Sequence, residues 1–266
     1  MIRLLVLACA IGLLSLTAAP ALAQKETVAE ITTRGQMLRF LLIKPDKPIG
    51  SVILLAGGHG ILALDPKGKI GWGAGNQLVR TRAGYAKAGF VTATPDVTTD
   101  LKRVEGGVPA FRWSGEYATD IGALVRHLRG IAAPVYLIGT SRAGLSVPNA
   151  AARLTGDAAP DAIVITSGML MHINDKQPSA ERSVGRLERI KQPTLLVFHE
   201  KDACPHTPAS SAQTFRKLLT GAKKVDIKFL KGGSARGDPC EARHYHGFEG
   251  IDGEVVRTIT DWLKSL

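Results

Sequence analysis

Past its first two dozen residues this chain has no apolar run long enough to cross a bilayer, so the remainder is expected to be soluble, with no stable membrane insertion. It has no internal repeat and no low-complexity tract, which argues against solenoid and disordered architectures. Basic residues are plentiful but never gathered into a tract interleaved with aromatics. Arg80, Arg82, Lys102, Arg103, Arg126, Arg153, Lys191, Lys223 and Lys224 are scattered, so no nucleic-acid partner is expected. His59, His199, His206 and His244 form no ligand spacing with carboxylates, so no metal is expected. Gly71-Trp72-Gly73-Ala74-Gly75 is rich in glycine but does not open the strand–helix unit that a phosphate loop requires, and no cofactor is expected. That segment reads as a bend near a pocket, with Trp72 either lining substrate or packing on the rim. Phe111 and Trp113 are open to the same two readings.

Cysteine is scarce, with three in 266 residues, and the first, Cys9, lies in a segment with its own meaning. Arg3 is followed by an apolar run from Leu4 to Leu16 and then by Thr17-Ala18-Ala19-Pro20-Ala21-Leu22-Ala23. Charge, apolar core and small residues in that order describe a secretory signal, with cleavage expected after Ala23. A membrane anchor is the alternative, but the run is short for a span and Ala21-Leu22-Ala23 fits the small-x-small rule. Cys9 lies too early for lipidation. Residues 24–266 are then expected to form a single α/β domain, exported to the periplasm or secreted. They hold 33 basic and 23 acidic residues, a formal charge of +10, whose simplest consequence is weak attraction to anionic surfaces. Cys204 and Cys240 remain, and two thiols in an oxidising compartment predict one disulfide. Two free buried cysteines are the alternative. A bridge would contribute roughly 3–4 kcal/mol on the chain-entropy model.

The hydrophobic pattern specifies a layered fold. Thr27 to Ile43 reads as a hairpin turning at Arg34-Gly35. Ser51–Ala56 is a continuous apolar run closed by Gly57-Gly58, as in a strand buried on both faces. Similar runs follow at Gly89–Thr94, Pro134–Ile138, Ala162–Ile165, Thr194–Phe198 and Val225–Leu230. Helical periodicity lies between most of them. Ile121, Leu124, Val125 and Leu128 share a face over 117–129, as do Val255, Val256, Ile259, Trp262, Leu263 and Leu266 at the C-terminus. Thr207-Pro208 predicts a helix N-terminus running through Leu219. The sum is an α/β fold with a mostly parallel central sheet of about eight strands and helices on both faces. In such sheets ligands bind beyond the carboxyl ends of the strands.

Three residues in those places carry chemistry. After the Pro134–Ile138 strand, Gly139-Thr140-Ser141-Arg142-Ala143 has the small-x-Ser-x-small form of a nucleophile elbow, with Ala143 in place of the commoner glycine. A serine hydroxyl needs a base, and a histidine base needs an acid to fix its tautomer. Asp202 follows the Thr194–Phe198 strand, and His244-Tyr245-His246-Gly247-Phe248 precedes the last helix.

With the elbow, the acid after the seventh strand and His-Gly-Phe before the final helix, the chain resembles the α/β-hydrolase superfamily along nearly all of residues 24–266. Exported bacterial serine esterases and dienelactone-hydrolase-like members are the likeness. The resemblance implies Ser141 as nucleophile, Asp202 as acid and His246 as base, with His244 and Glu200 as competing base and acid. It also implies an oxyanion hole built from the Arg142 amide and from Gly58 or His59 in Gly57-Gly58-His59-Gly60. Ala56 stands where the family's histidine usually does, so the choice between those two amides stays open. Cys204 and Cys240 flank the acid and base, and their bridge would tie the two loops together. Only 168–192 is available for a lid, a minimal one of one or two short helices, with Met169, Leu170 and Met171 as an apolar wall or as core. The function implied is hydrolysis of a carboxylic ester, or a related acyl bond, in a small-molecule substrate. A non-catalytic binding protein on the same scaffold and an exported serine peptidase or amidase are the alternatives. No sequence feature sets an oligomeric state.

Overall fold

The computed structural model describes residues 25–102 and 109–266. The expected signal segment 1–23, with Cys9, and Arg103 lie outside the described residues. Among the described residues, no helix is long and apolar enough to cross a membrane.

Eight strands form one sheet: β1 (Glu26–Thr33), β2 (Gln36–Ile43), β3 (Gly50–Leu55), β4 (Phe90–Pro95), β5 (Val135–Thr140), β6 (Ala162–Thr166), β7 (Thr194–His199) and β8 (Val225–Leu230). Their spatial order is β1-β2-β4-β3-β5-β6-β7-β8. β1 and β2 form the expected hairpin, β2 pairs antiparallel with β4, and every pairing from β4 through β3 to β8 is parallel. Among the described residues six helices accompany them: α1 (Gln77–Lys87), α2 (Gly115–Arg129), α3 (Ala143–Arg153), α4 (Ala180–Ser183), α5 (Ser211–Leu218) and α6 (Asp252–Lys264).

Strand side chains alternate between faces, and the two cores divide accordingly. Ile53, Leu55, Leu137, Ile163, Ile165, Leu196 and Phe198 join α2, α3 and α5 in one cluster. Val52, Leu54, Tyr136, Ile138, Val164, Leu195 and Val197 join α1 and α6 in the other. Each strand must therefore be apolar on both faces, which is why β3, β5, β6 and β7 read as unbroken hydrophobic runs. At about 1.5–3 kcal/mol per fully buried aliphatic or aromatic side chain, these two layers dominate the favourable side of folding. β8, at the sheet edge, is only partly covered, and Trp262 of α6 is fastened to it by an Nε1–H donated to Asp226 at 2.6 Å.

The region after β6 holds α4 and one further short turn, Leu187–Arg189, in keeping with a minimal lid. One helix start differs from expectation. α5 opens at Ser211, and Thr207 caps nothing.

Candidate active site

β5, a central strand, delivers Ser141 just past the carboxyl end of the sheet, and two residues later the chain is helical. The reversal is possible only because Ser141 takes φ 55°, a left-handed conformation that costs a non-glycine residue about 1–3 kcal/mol. Hydrogen bonds pin it there. Ser141 N–H donates to the Thr166 carbonyl at 2.9 Å, and its own carbonyl accepts from Gly144 at 2.8 Å and Met169 at 3.1 Å. The small neighbours are required by contact: a Cβ on Gly139 would lie 2.5 Å from Val147 Cγ2, and one on Gly144 would lie 2.9 Å from Gly168 Cα.

Asp202 follows β7 in a tight turn, its N–H donated to the His199 carbonyl at 3.0 Å. One carboxylate oxygen accepts the Cys204 N–H at 3.0 Å, and the other lies 3.0 Å from His246 Nδ1. Thr207 Oγ1 also sits 3.0 Å from His246 Nδ1 and 3.4 Å from that same Asp202 oxygen. One proton assignment satisfies all three groups. His246 Nδ1–H is shared between Asp202 and the Thr207 oxygen, while the Thr207 hydroxyl donates to Asp202. Nε2 is then the basic nitrogen, and it is buried without a hydrogen-bond partner. His244 does not meet Asp202; its ring packs edge-on against Tyr245. Glu200 lies outward and pairs with Lys231 at 3.4 Å.

The loop carrying His246 is held from several sides. Arg80 donates to the Gly247 carbonyl at 2.6 Å and the Ala242 carbonyl at 3.1 Å while pairing with Asp252 at 2.8 Å. His199 accepts from Lys201 N–H on Nδ1, so its Nε2–H donates to the Gly232 carbonyl at 2.9 Å, and its ring stacks on Tyr245. The Cys204–Cys240 disulfide joins this loop to the Asp202 turn.

Ser141 and His246 line one cleft of about 510 Å³, together with Gly58, His59, Arg142 and Trp72. Its size is that of a small-molecule site. The amides of Gly58, His59 and Arg142 donate to no protein group among the described residues. His59 Nδ1 accepts the Ile61 N–H at 3.1 Å, and its ring lies on Trp72 at a centroid distance of 3.7 Å. Burial, aided by the charges of Arg112 and Arg142, lowers the pKa of His59, so the imidazole is neutral at pH 7 with its proton on Nε2. Trp72 therefore both lines the cleft and packs on its rim. Met169 reaches the cleft while Leu170 is core.

Two residues escape a reading of the sequence. Thr207 resembles an N-cap but serves the Asp202–His246 pair. Arg112 is 1% exposed and directs one guanidinium nitrogen at the carbonyls of Ala56, Gly57 and Gly58, at 3.0, 3.1 and 2.9 Å. Its other terminal nitrogen donates to Ser146 Oγ at 3.2 Å. Burial pushes its pKa down to about 10, still charged at neutral pH. The one available signal was a cation inside the apolar stretch Pro109-Ala110-Phe111-Arg112-Trp113.

No family model matches this chain, and no curated protein matches it. Solved structures do. A dienelactone hydrolase from Anabaena variabilis is similar over 91% of this chain and 98% of its own, with TM-score 0.62 and 15% identity. A cold-adapted esterase from an Arctic intertidal metagenomic library is similar over 94% and 97%, with TM-score 0.62 and 12% identity. A predicted CIB-like hydrolase from Thermoplasma acidophilum is similar over 91% and 100%, with TM-score 0.56 and 18% identity. At these identities the likeness establishes the fold, which is that of the α/β-hydrolases.

Proposed function

We propose that this chain is a serine hydrolase that cleaves a carboxylic ester, or a related acyl bond, of a small substrate. The observation that carries the reading is the Asp202–His246 pair buried against the cleft that holds Ser141, with His246 Nε2 unpartnered on that side. His246 Nε2 takes the Ser141 proton as Oγ bonds to the acyl carbon, and the carbonyl π pair moves onto oxygen. That oxyanion is met by the Arg142 amide at the start of α3 and by the amide of Gly58 or His59. Collapse expels the alcohol, which recovers the proton from His246. Water then repeats the sequence on the acyl-enzyme. Apo catalytic hydrogen bonds are commonly long and tighten with substrate, so the open Ser141–His246 relation suits this cycle. The small cleft and short lid favour compact acyl groups. The disulfide and the signal-like sequence of residues 1–23 favour residence in an oxidising compartment, periplasmic or extracellular.

The test is labelling by a fluorophosphonate probe, with hydrolysis of short and medium p-nitrophenyl esters, for the wild type and Ser141→Ala. Labelling and turnover by the wild type, both lost in the variant, are expected. A folded wild type that neither labels nor turns over would instead favour a binding protein on this scaffold.

A further inference from the structure

Arg112 is the largest fully buried side chain among the described residues. Arg34 and Arg80, the other well-covered arginines of the fold's interior contacts, each meet a carboxylate, Asp120 at 2.7 Å and Asp252 at 2.8 Å. Among the described residues Arg112 meets none within 4.0 Å, and its Nε has no hydrogen-bond partner there. A buried cation without a counter-charge is costly, and an apolar residue of similar size would serve packing better. What the guanidinium touches gives the reason for keeping it.

Its acceptors are three consecutive carbonyls of the segment that follows β3. In a planar trans peptide the carbonyl and the next residue's N–H point in opposite directions. Holding the Gly57 carbonyl on the guanidinium turns the Gly58 N–H away from it, and holding the Gly58 carbonyl does the same for His59. Both amides belong to residues lining the cleft, and among the described residues neither has a protein acceptor. The backbone is shaped around this clamp. Gly60 has φ 77°, and a Cβ there would sit 2.4 Å from Arg112 Nη2. Gly57 passes so close to the nucleophile that a Cβ would lie 3.0 Å from Ser141 Cβ. The bond to Ser146 anchors the same guanidinium to α3, the helix that begins just after Ser141.

We infer that Arg112 is the positioning residue of the oxyanion site: it fixes the Gly58 and His59 amides toward the oxygen that becomes negative, and its charge, paired with no carboxylate among the described residues, lies one peptide layer behind that oxygen. The inference rests on the serine-hydrolase reading above. Arg112 touches no substrate and acts through the loop it holds, so its effect belongs to the transition state and not to ground-state binding.

The experiment compares wild type, Arg112→Gln and Arg112→Lys for thermal melting, kcat and KM on a p-nitrophenyl ester, and inhibition by a phenylboronic acid and by the product acid. The boronate forms a tetrahedral anion on serine, whereas the product acid does not. Arg112→Gln is expected to lower kcat about 100-fold with KM within about 2-fold. Boronate affinity should fall in parallel while product affinity holds. Arg112→Lys, which keeps the charge without the fork, is expected to lose only about 10-fold. If Arg112→Gln fails to fold, the lysine variant decides alone through its boronate-to-product affinity ratio, expected to fall about 10-fold. A folded variant with wild-type kcat, a loss confined to KM, or an unchanged ratio would overturn the inference. Failure of the wild type to label with fluorophosphonate would overturn the proposed function instead.

Discussion

Thr207 illustrates how one hydroxyl changes meaning with its neighbours. Thr-Pro before a helical pattern suggests an N-cap, yet the hydroxyl lies between His246 Nδ1 and Asp202, and α5 starts four residues later. Without it, Asp202 Oδ2 loses a donor and the His246 N–H loses its second acceptor. Thr207→Val is therefore expected to lower kcat/KM about 10-fold, whereas Asp202→Asn, which favours the wrong tautomer, is expected to lower kcat by about 10⁴. Steady-state kinetics at neutral pH on both variants measure the contrast; a Thr207→Val enzyme as slow as Asp202→Asn would contradict it. Ser141, Asp202 and His246 were legible because each follows a recognisable strand end or precedes a recognisable helix. Arg112 was not, because its partners are backbone carbonyls 54 to 56 residues upstream, and no side-chain pattern marks a carbonyl acceptor.

The disulfide acts at the scale of elements. Cys204 donates its N–H to Asp202, and Cys240 sits on the loop that carries His246, so the bridge spans 36 residues and closes the Asp202 turn against the His246 loop. Cys204→Ser/Cys240→Ser is expected to cost about 3–4 kcal/mol of stability through the unfolded chain. It should also lower kcat at temperatures where the variant remains folded. Denaturant titration and kinetics, repeated on wild type with and without reductant, check both effects; unchanged kcat in the reduced wild type would confine the bridge to stability. Among the elements themselves, the buried strands were readable to within a residue or two, since burial on both faces forces unbroken apolar runs. α1 announced itself poorly: Gln77-Leu78-Val79-Arg80-Thr81-Arg82 mixes polar residues into its covered face, and Gln77 is itself buried.

Across the whole molecule, carboxylates held below their ordinary range link folding to pH. Hydrogen bonding from Arg34 lowers Asp100. At Asp226, burial opposes ionisation but is outweighed by the Trp262 and Lys224 hydrogen bonds, and its pKa also falls. A depressed folded pKa means the unfolded chain binds protons more readily. The stabilisation is complete above the ordinary carboxylate pKa of about 4 and is lost as pH falls through the lower folded values. Melting temperature is expected to hold from neutral pH to about 5 and then to drop steeply below about 4. A melting temperature independent of pH down to about 2 would remove these pairs from the account. By itself the sequence determined the layered sheet and the order of Ser141, Asp202 and His246, because burial on two faces and the ends of strands leave local marks. Only the tertiary structure decided that His246 and not His244 meets Asp202, that Thr207 joins them, and that Arg112 grips the loop beside Ser141. Those choices rest on hydrogen bonds near 3 Å between residues dozens of positions apart, set by loop dihedrals that periodicity does not encode.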